Sequence, residues 1–100
     1  MGRLELQSVL EVLLGSENVY FQPPQSTKMA FPCIVYHPDN MDTQFAGNVP
    51  YSVTQRYQVT VIDKNPDSLI PMKVAHLPRC LYNRFFTADN LNHSVFNLYF

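Results

Sequence analysis

The sequence predicts an α+β domain: one mainly antiparallel sheet of about five strands, with an N-terminal helix and a second short helix packed on one face. Three observations carry this. Residues 51–62 read Y-S-V-T-Q-R-Y-Q-V-T-V-I, an alternating run of the kind that makes a half-buried strand. Residues 3–14 carry apolar side chains at helical spacing. Residues 79–100 hold two further strand-like runs separated by A-D-N-L-N, which reads as a hairpin. One hundred residues provide for one domain, spanning 1–100, with no room for a second core.

The first helix is expected at Arg3–Leu14. Leu6, Val9, Leu10, Leu13 and Leu14 fall at i, i+3, i+4, i+7 and i+8 and make one apolar face. Glu5, Gln7, Ser8 and Glu11 are expected to face away. Gly15 suits the left-handed position that follows a helix. A membrane-surface helix is disfavoured because the polar face is acidic.

A short strand is expected at residues 19–22, ended by Pro23 and Pro24, which cannot donate to a ladder. Glu17 to Gln22 read E-N-V-Y-F-Q, close to a protease recognition sequence. Pro23 stands where cutting needs a small residue, so the string is read as native. Residues 31–37 follow as a strand, with Ile34 and Tyr36 on one face and Cys33 and Val35 on the other. Residues 38–50 have turn residues at both ends and are expected to form a long loop, dotted with Met41, Phe45 and Val49.

In the strand at 51–62, Tyr51, Val53, Tyr57, Val59 and Val61 share one face with Gln55. Ser52, Thr54, Arg56, Gln58 and Thr60 take the other. At about 3.3 Å per residue the strand runs roughly 40 Å, longer than a core of this size needs. Asn65-Pro66 supplies a turn, and Asp67 or Ser68 an N-cap for a helix at 69–77. Pro71 sits in its first turn. Leu69, Met72 and Leu77 are its inward candidates, and Pro78 stops it. The last strands are expected at 79–87 and 94–100.

Composition narrows the function classes. Hydrophobic residues are 46% and charged residues 15%, against about 25% charged in ordinary soluble domains. Such a chain has few charges to spread over a fully solvated surface, so part of that surface is expected to meet partners. The net charge of −1 leaves no footprint for nucleic acid. Two basic residues stand against five acidic ones in the first fifty positions, and five against three in the second fifty. That asymmetry is compatible with head-to-tail contact between copies.

No catalytic, metal-binding or cofactor-binding constellation is visible. His37, His76 and His93 are not at metal spacing with another ligand. Asp89, His93 and Ser94 are triad residue types, but closeness in sequence is not triad geometry. There is no nucleophile elbow or glycine-rich phosphate loop, and only three glycines occur. No enzymatic activity, metal or cofactor is expected. Cys33 and Cys80 lie in apolar runs and read as buried free thiols rather than a disulfide framework. Residues 1–14 do not read as a signal peptide, no run is long enough to span a membrane, and an intracellular protein is the expectation. Phe85, Phe86, Phe96, Tyr99 and Phe100 point to core or subunit interface. A base-stacking platform would need more interleaved cations than Arg79 and Arg84.

Four segments stand together along the chain: N-V-Y-F-Q-P-P from Asn18, F-P-C-I-V-Y from Phe31, R-Y-Q-V-T-V-I-D-K-N-P-D-S from Arg56, and T-A-D-N-L-N-H from Thr87. This pattern resembles small structural proteins of tailed bacteriophages and prophages, of tail-terminator or head–tail joining type. It covers nearly the whole chain and includes no catalytic motif. It implies a non-enzymatic virion protein of the tail or neck, assembled in the host cytoplasm as a hexameric ring. Its partners would be the tail tube protein and the head–tail connector protein, with no membrane and no sequence-specific nucleic acid. A head-completion or minor capsid protein is the alternative within the same particle, and a small nucleic-acid-binding module the alternative outside it. The interaction surface is expected in the 38–50 loop and the polar face of the long strand, at Met41, Phe45, Val49, Thr54, Arg56 and Gln58.

Overall fold

A computed structural model describes residues 3–23, 31–47, 49–65 and 67–100, with the side chains of these except 42–46 and 49–53. The elements follow in the order α1 (Arg3–Leu14), β1 (Val19–Phe21), β2 (Cys33–Ala46), β3 (Val49–Asp63), α2 (Ile70–Ala75), β4 (Cys80–Ala88) and β5 (Leu91–Tyr99). The five strands form one sheet in the order β1-β2-β3-β5-β4. All neighbours are antiparallel except β1 and β2, which run parallel with Val19 opposite Ile34. This is the expected α+β architecture, with a mixed sheet.

Helix α1 has the predicted bounds, and its apolar period explains its seat. Leu6 and Leu10 are fully buried, and Leu13 and Leu14 pack around them. Burying side chains of this kind stabilises by about 1.5–3 kcal/mol each. Gly15, at φ +76, closes the helix by donating its amide to the Glu11 carbonyl at 2.9 Å. The sheet contributes Val19, Ile34, Tyr36, Tyr57, Val59, Val61, Phe96 and Leu98 to the same core, and α2 contributes Val74.

Gln7 departs from its expected outward position. Its side-chain amide donates to the Val19 carbonyl at 3.0 Å and to Glu11 at 3.1 Å, and its Oε1 accepts from the Tyr36 hydroxyl. Tyr36 is fully buried, so its hydroxyl needs a partner there, and Gln7 supplies it from the helix flank. Arg3 donates to the same hydroxyl at 3.4 Å and lies over the Phe21 ring at 4.5 Å. The row Arg3, Gln7, Glu11 therefore fixes α1 over β1.

Helix α2 is shorter than expected, and its buried side is different. Val74 is buried, Ile70 and Leu77 pack at the core margin, and Leu69 and Met72 are exposed. Leu69 stands at the N-cap without a side-chain cap. Ser68 Oγ instead accepts from the Ile70 amide at 3.3 Å. The final hairpin is also tighter than expected. Asp89 and Asn90, both at positive φ, form a two-residue turn, so β5 begins at Leu91.

Residues 38–50 are not a loop. Strand β2 continues through them to Ala46, which lies opposite Val49. The turn residues H-P-D-N mark a β-bulge: Pro38 is opposite Tyr57 and Asn40 opposite Arg56, leaving Asp39 as the extra residue. The reversal itself occurs at Gly47, whose φ of +60 suits a tight hairpin.

Candidate functional site

The excess length of β3 now has a structural meaning. Its pairing with β5 ends at Arg56 opposite Tyr99, closed by the Phe100 amide donating to the Gln55 carbonyl at 3.1 Å. From Gln55 back to Val49, β2 is the one strand beside β3 among the described residues. The two strands leave the sheet as a ribbon of roughly 20 Å. The molecule accordingly measures 50 × 24 × 23 Å.

The root of this arm is held by polar contacts. Arg56 Nε donates to Asp39 Oδ1 at 3.0 Å and its NH2 to Oδ2 at 3.2 Å, a two-pronged pair built on the bulged residue. The bonds to Asp39, then one to Tyr99, raise the pKa of the guanidinium. Gln55 Nε2 donates to the Asn40 carbonyl at 2.7 Å and to the Arg56 carbonyl at 2.9 Å.

The six expected interaction residues are not all brought together. Thr54, Arg56 and Gln58 are half-exposed and lie in alternating positions on the sheet face opposite the helices. Met41, 60% exposed, is opposite Gln55 and belongs to the other face of the arm. Phe45, opposite Pro50, and Val49, opposite Ala46, stand at the arm's end. Their side chains lie outside the described residues. Sequence reasoning missed the arm because it read its bulge as a turn. The signal present was Gly47-Asn48 between two extended runs.

A second exposed feature is β4. It forms one edge of the sheet, and every residue from Leu81 to Ala88 is exposed. Leu81, Tyr82, Phe85 and Phe86 therefore do not enter the core, although Phe96 does. Alternating aromatics predict core only where a strand is covered, and the edge position is set by topology.

The triad residue types do not converge. Ser94 faces the core opposite Val61, whereas His93, on the other face, stacks on Phe86 at 4.6 Å. Among the described residues no three His, Cys, Asp or Glu gather as a metal site would require. Cys33 and Cys80 are free thiols on opposite faces of the sheet. Burial, and secondarily the charge of Asp63, pushes the Cys33 thiol up to about 11, so it stays protonated and unreactive. A pocket of about 240 Å³ lies between α1 and the turn before β4, lined by Leu6, Val9, Leu77, Pro78, Leu98 and Phe100. Its one charged neighbour is Arg79, which lies over the Tyr99 ring at 5.4 Å.

Among the described residues no helix is long and apolar enough to cross a membrane. No protein-family model, curated protein or solved structure matches this chain.

Proposed function

We propose that this protein is a structural subunit of a tailed-phage particle, of tail-terminator or head–tail joining type. It would act as a ring that caps the tail tube and meets the head connector. The observation that carries the proposal is the arm. A two-stranded ribbon is at best marginally stable alone in water. Here it runs beyond the last β5 partner and is anchored at its root by Arg56 and Asp39. Such a ribbon is suited to lie on another surface, and a head-to-tail contact that closes on itself generates a ring. The low content of charged residues and the segment resemblance agree with a virion protein.

In this reading Met41 and the arm's end reach the neighbouring copy, and Thr54, Arg56 and Gln58 present a polar face to it or to the tube. The test is a shortened arm, in which residues 42–53 are replaced by a two-residue turn. The shortened chain should keep its melting temperature within a few degrees and lose both ring formation and binding to tube ends. A shortened chain that still forms rings and caps tubes would contradict the assignment.

A further inference from the structure

The β4 edge carries a second contact, independent of the arm. Most sheet edges are protected by charge, proline or brevity. The opposite edge, β1, follows that rule: it is three residues long and Pro23 comes soon after it. Strand β4 has nine residues, C-L-Y-N-R-F-F-T-A, with no proline and with Arg84 as its one charge. Leu81 is 60% exposed, Tyr82 61%, Phe85 54% and Phe86 38%.

The bulge in β4 makes this edge complementary to itself. Two strands can pair only if opposed residues share a face and a hydrogen-bonding direction. In an unbroken strand Tyr82 and Phe85, three apart, point to opposite faces. In β4, Tyr82 is opposite Phe96 and Arg84 is opposite Val95, so Asn83 is an extra residue. Phe85 is then opposite Ser94, two positions from Phe96, and it shares the face and bonding direction of Tyr82. By the same count Leu81, opposite Asn97, shares a face with Phe86, opposite His93.

We propose that two copies of this chain pair through β4, antiparallel and about a twofold axis between Asn83 and Arg84. Tyr82 of one copy lies opposite Phe85 of the other, and Leu81 opposite Phe86, so both faces of the joint sheet gain two apolar cross-strand pairs. Arg84 meets Asn83, which avoids the like-charge opposition that a register centred on Arg84 would impose. Arg84 already rests over its own Phe86 ring at 5.6 Å. Taking roughly 150–250 Å² for a fully exposed aromatic side chain, the four residues offer about 400 Å² per copy. That is half of the roughly 800 Å² per partner of a standard interface, and the strand backbone and flanking side chains add to it. The contact is sized for a reversible dimer.

The pairing goes beyond the ring reading and does not need it. Two measurements test it. Sedimentation at roughly 100 µM compares the full chain with Leu81→Lys, a substitution at an exposed edge position, checked for fold by circular dichroism. The mass should halve: from dimer to monomer if no ring forms, or from two joined rings to one if rings do. The ratio reports on β4 and the absolute mass on the ring. The second is Thr87→Cys. The register sets position 87 opposite Cys80 of the second copy, at a Cα separation of about 4.5–5.5 Å, within disulfide reach. Within one chain the two positions are roughly 20 Å apart along the strand. Mild oxidation should give a covalent dimer with linkages between positions 80 and 87, found by peptide mass spectrometry. A mass that Leu81→Lys leaves unchanged, or thiols at 80 and 87 that stay unlinked, overturns the proposal.

Discussion

Replacing Tyr36 by Phe removes one oxygen from the centre of the helix–sheet contact. The hydroxyl donates to Gln7 and accepts from Arg3, and the residue around it is fully buried. The ring would keep its packing against Phe21 and Tyr57. A neutral hydrogen bond contributes about 0.5–1.5 kcal/mol net, and a buried acceptor left without its donor costs more. The loss for Tyr36→Phe is therefore about 1–2 kcal/mol. For a domain of this size each kcal/mol moves the melting temperature by about 4–8 °C, so a fall of roughly 5–15 °C is expected by circular dichroism. The attribution to Gln7 is tested by a double-mutant cycle with Gln7→Leu. The two effects should be coupled by about 0.5–2 kcal/mol, because each substitution removes the same bond. Effects that simply add, within about 0.3 kcal/mol, would refute the claim that Gln7 fixes α1 through Tyr36.

Two further outcomes follow from the same geometry. The Cys33 thiol is raised from 9.0 to about 11, so the folded chain holds this proton after the unfolded chain has lost it. Stability from this group is complete below pH 9 and declines as pH rises to about 11, by about 2–3 kcal/mol in total. Urea midpoints across that range should fall, and alkylation at pH 8.5 should label half-buried Cys80 before Cys33; equal labelling rates would contradict it. Gly47→Val places a β-branched residue at φ +60, where nothing crowds its Cβ but the backbone conformation costs about 1–2 kcal/mol. Amide exchange should speed up along 40–55 while global melting changes little, since the arm opens locally. Uniform protection as in the parent would show that the hairpin turn is not what holds the arm.

The parts of this fold that could be read from the chain are those fixed by local period. Leu6 and Leu10 set α1, Gly15 ended it, and Tyr57, Val59 and Val61 set the buried face of β3. The order of elements followed. What could not be read depends on a partner strand. The string H-P-D-N is turn chemistry in isolation, and only the opposing Tyr57 and Arg56 make it a bulge in a continuous strand. Asn83 looks like an ordinary strand residue, yet the β5 register makes it the extra one. Phe85 and Phe86 are apolar as core residues are, yet they point to opposite faces and both are exposed, because β4 is the edge of the sheet among the described residues. Gln7 sits on the helix flank, where period alone cannot distinguish solvent from a buried tyrosine hydroxyl. Of the expected interaction residues, Thr54, Arg56 and Gln58 share a strand face, which period alone gives, while Met41 lies in strand β2 rather than a loop, which only the pairing with β3 reveals.

Negative-stain imaging of the full chain, alone and mixed with tubes assembled from a tailed-phage tube protein, tests the assembly reading most directly. Closed rings of uniform diameter should seat on tube ends and be lost when the arm is shortened. A monomer or simple dimer that forms no ring and leaves tube ends bare would contradict it.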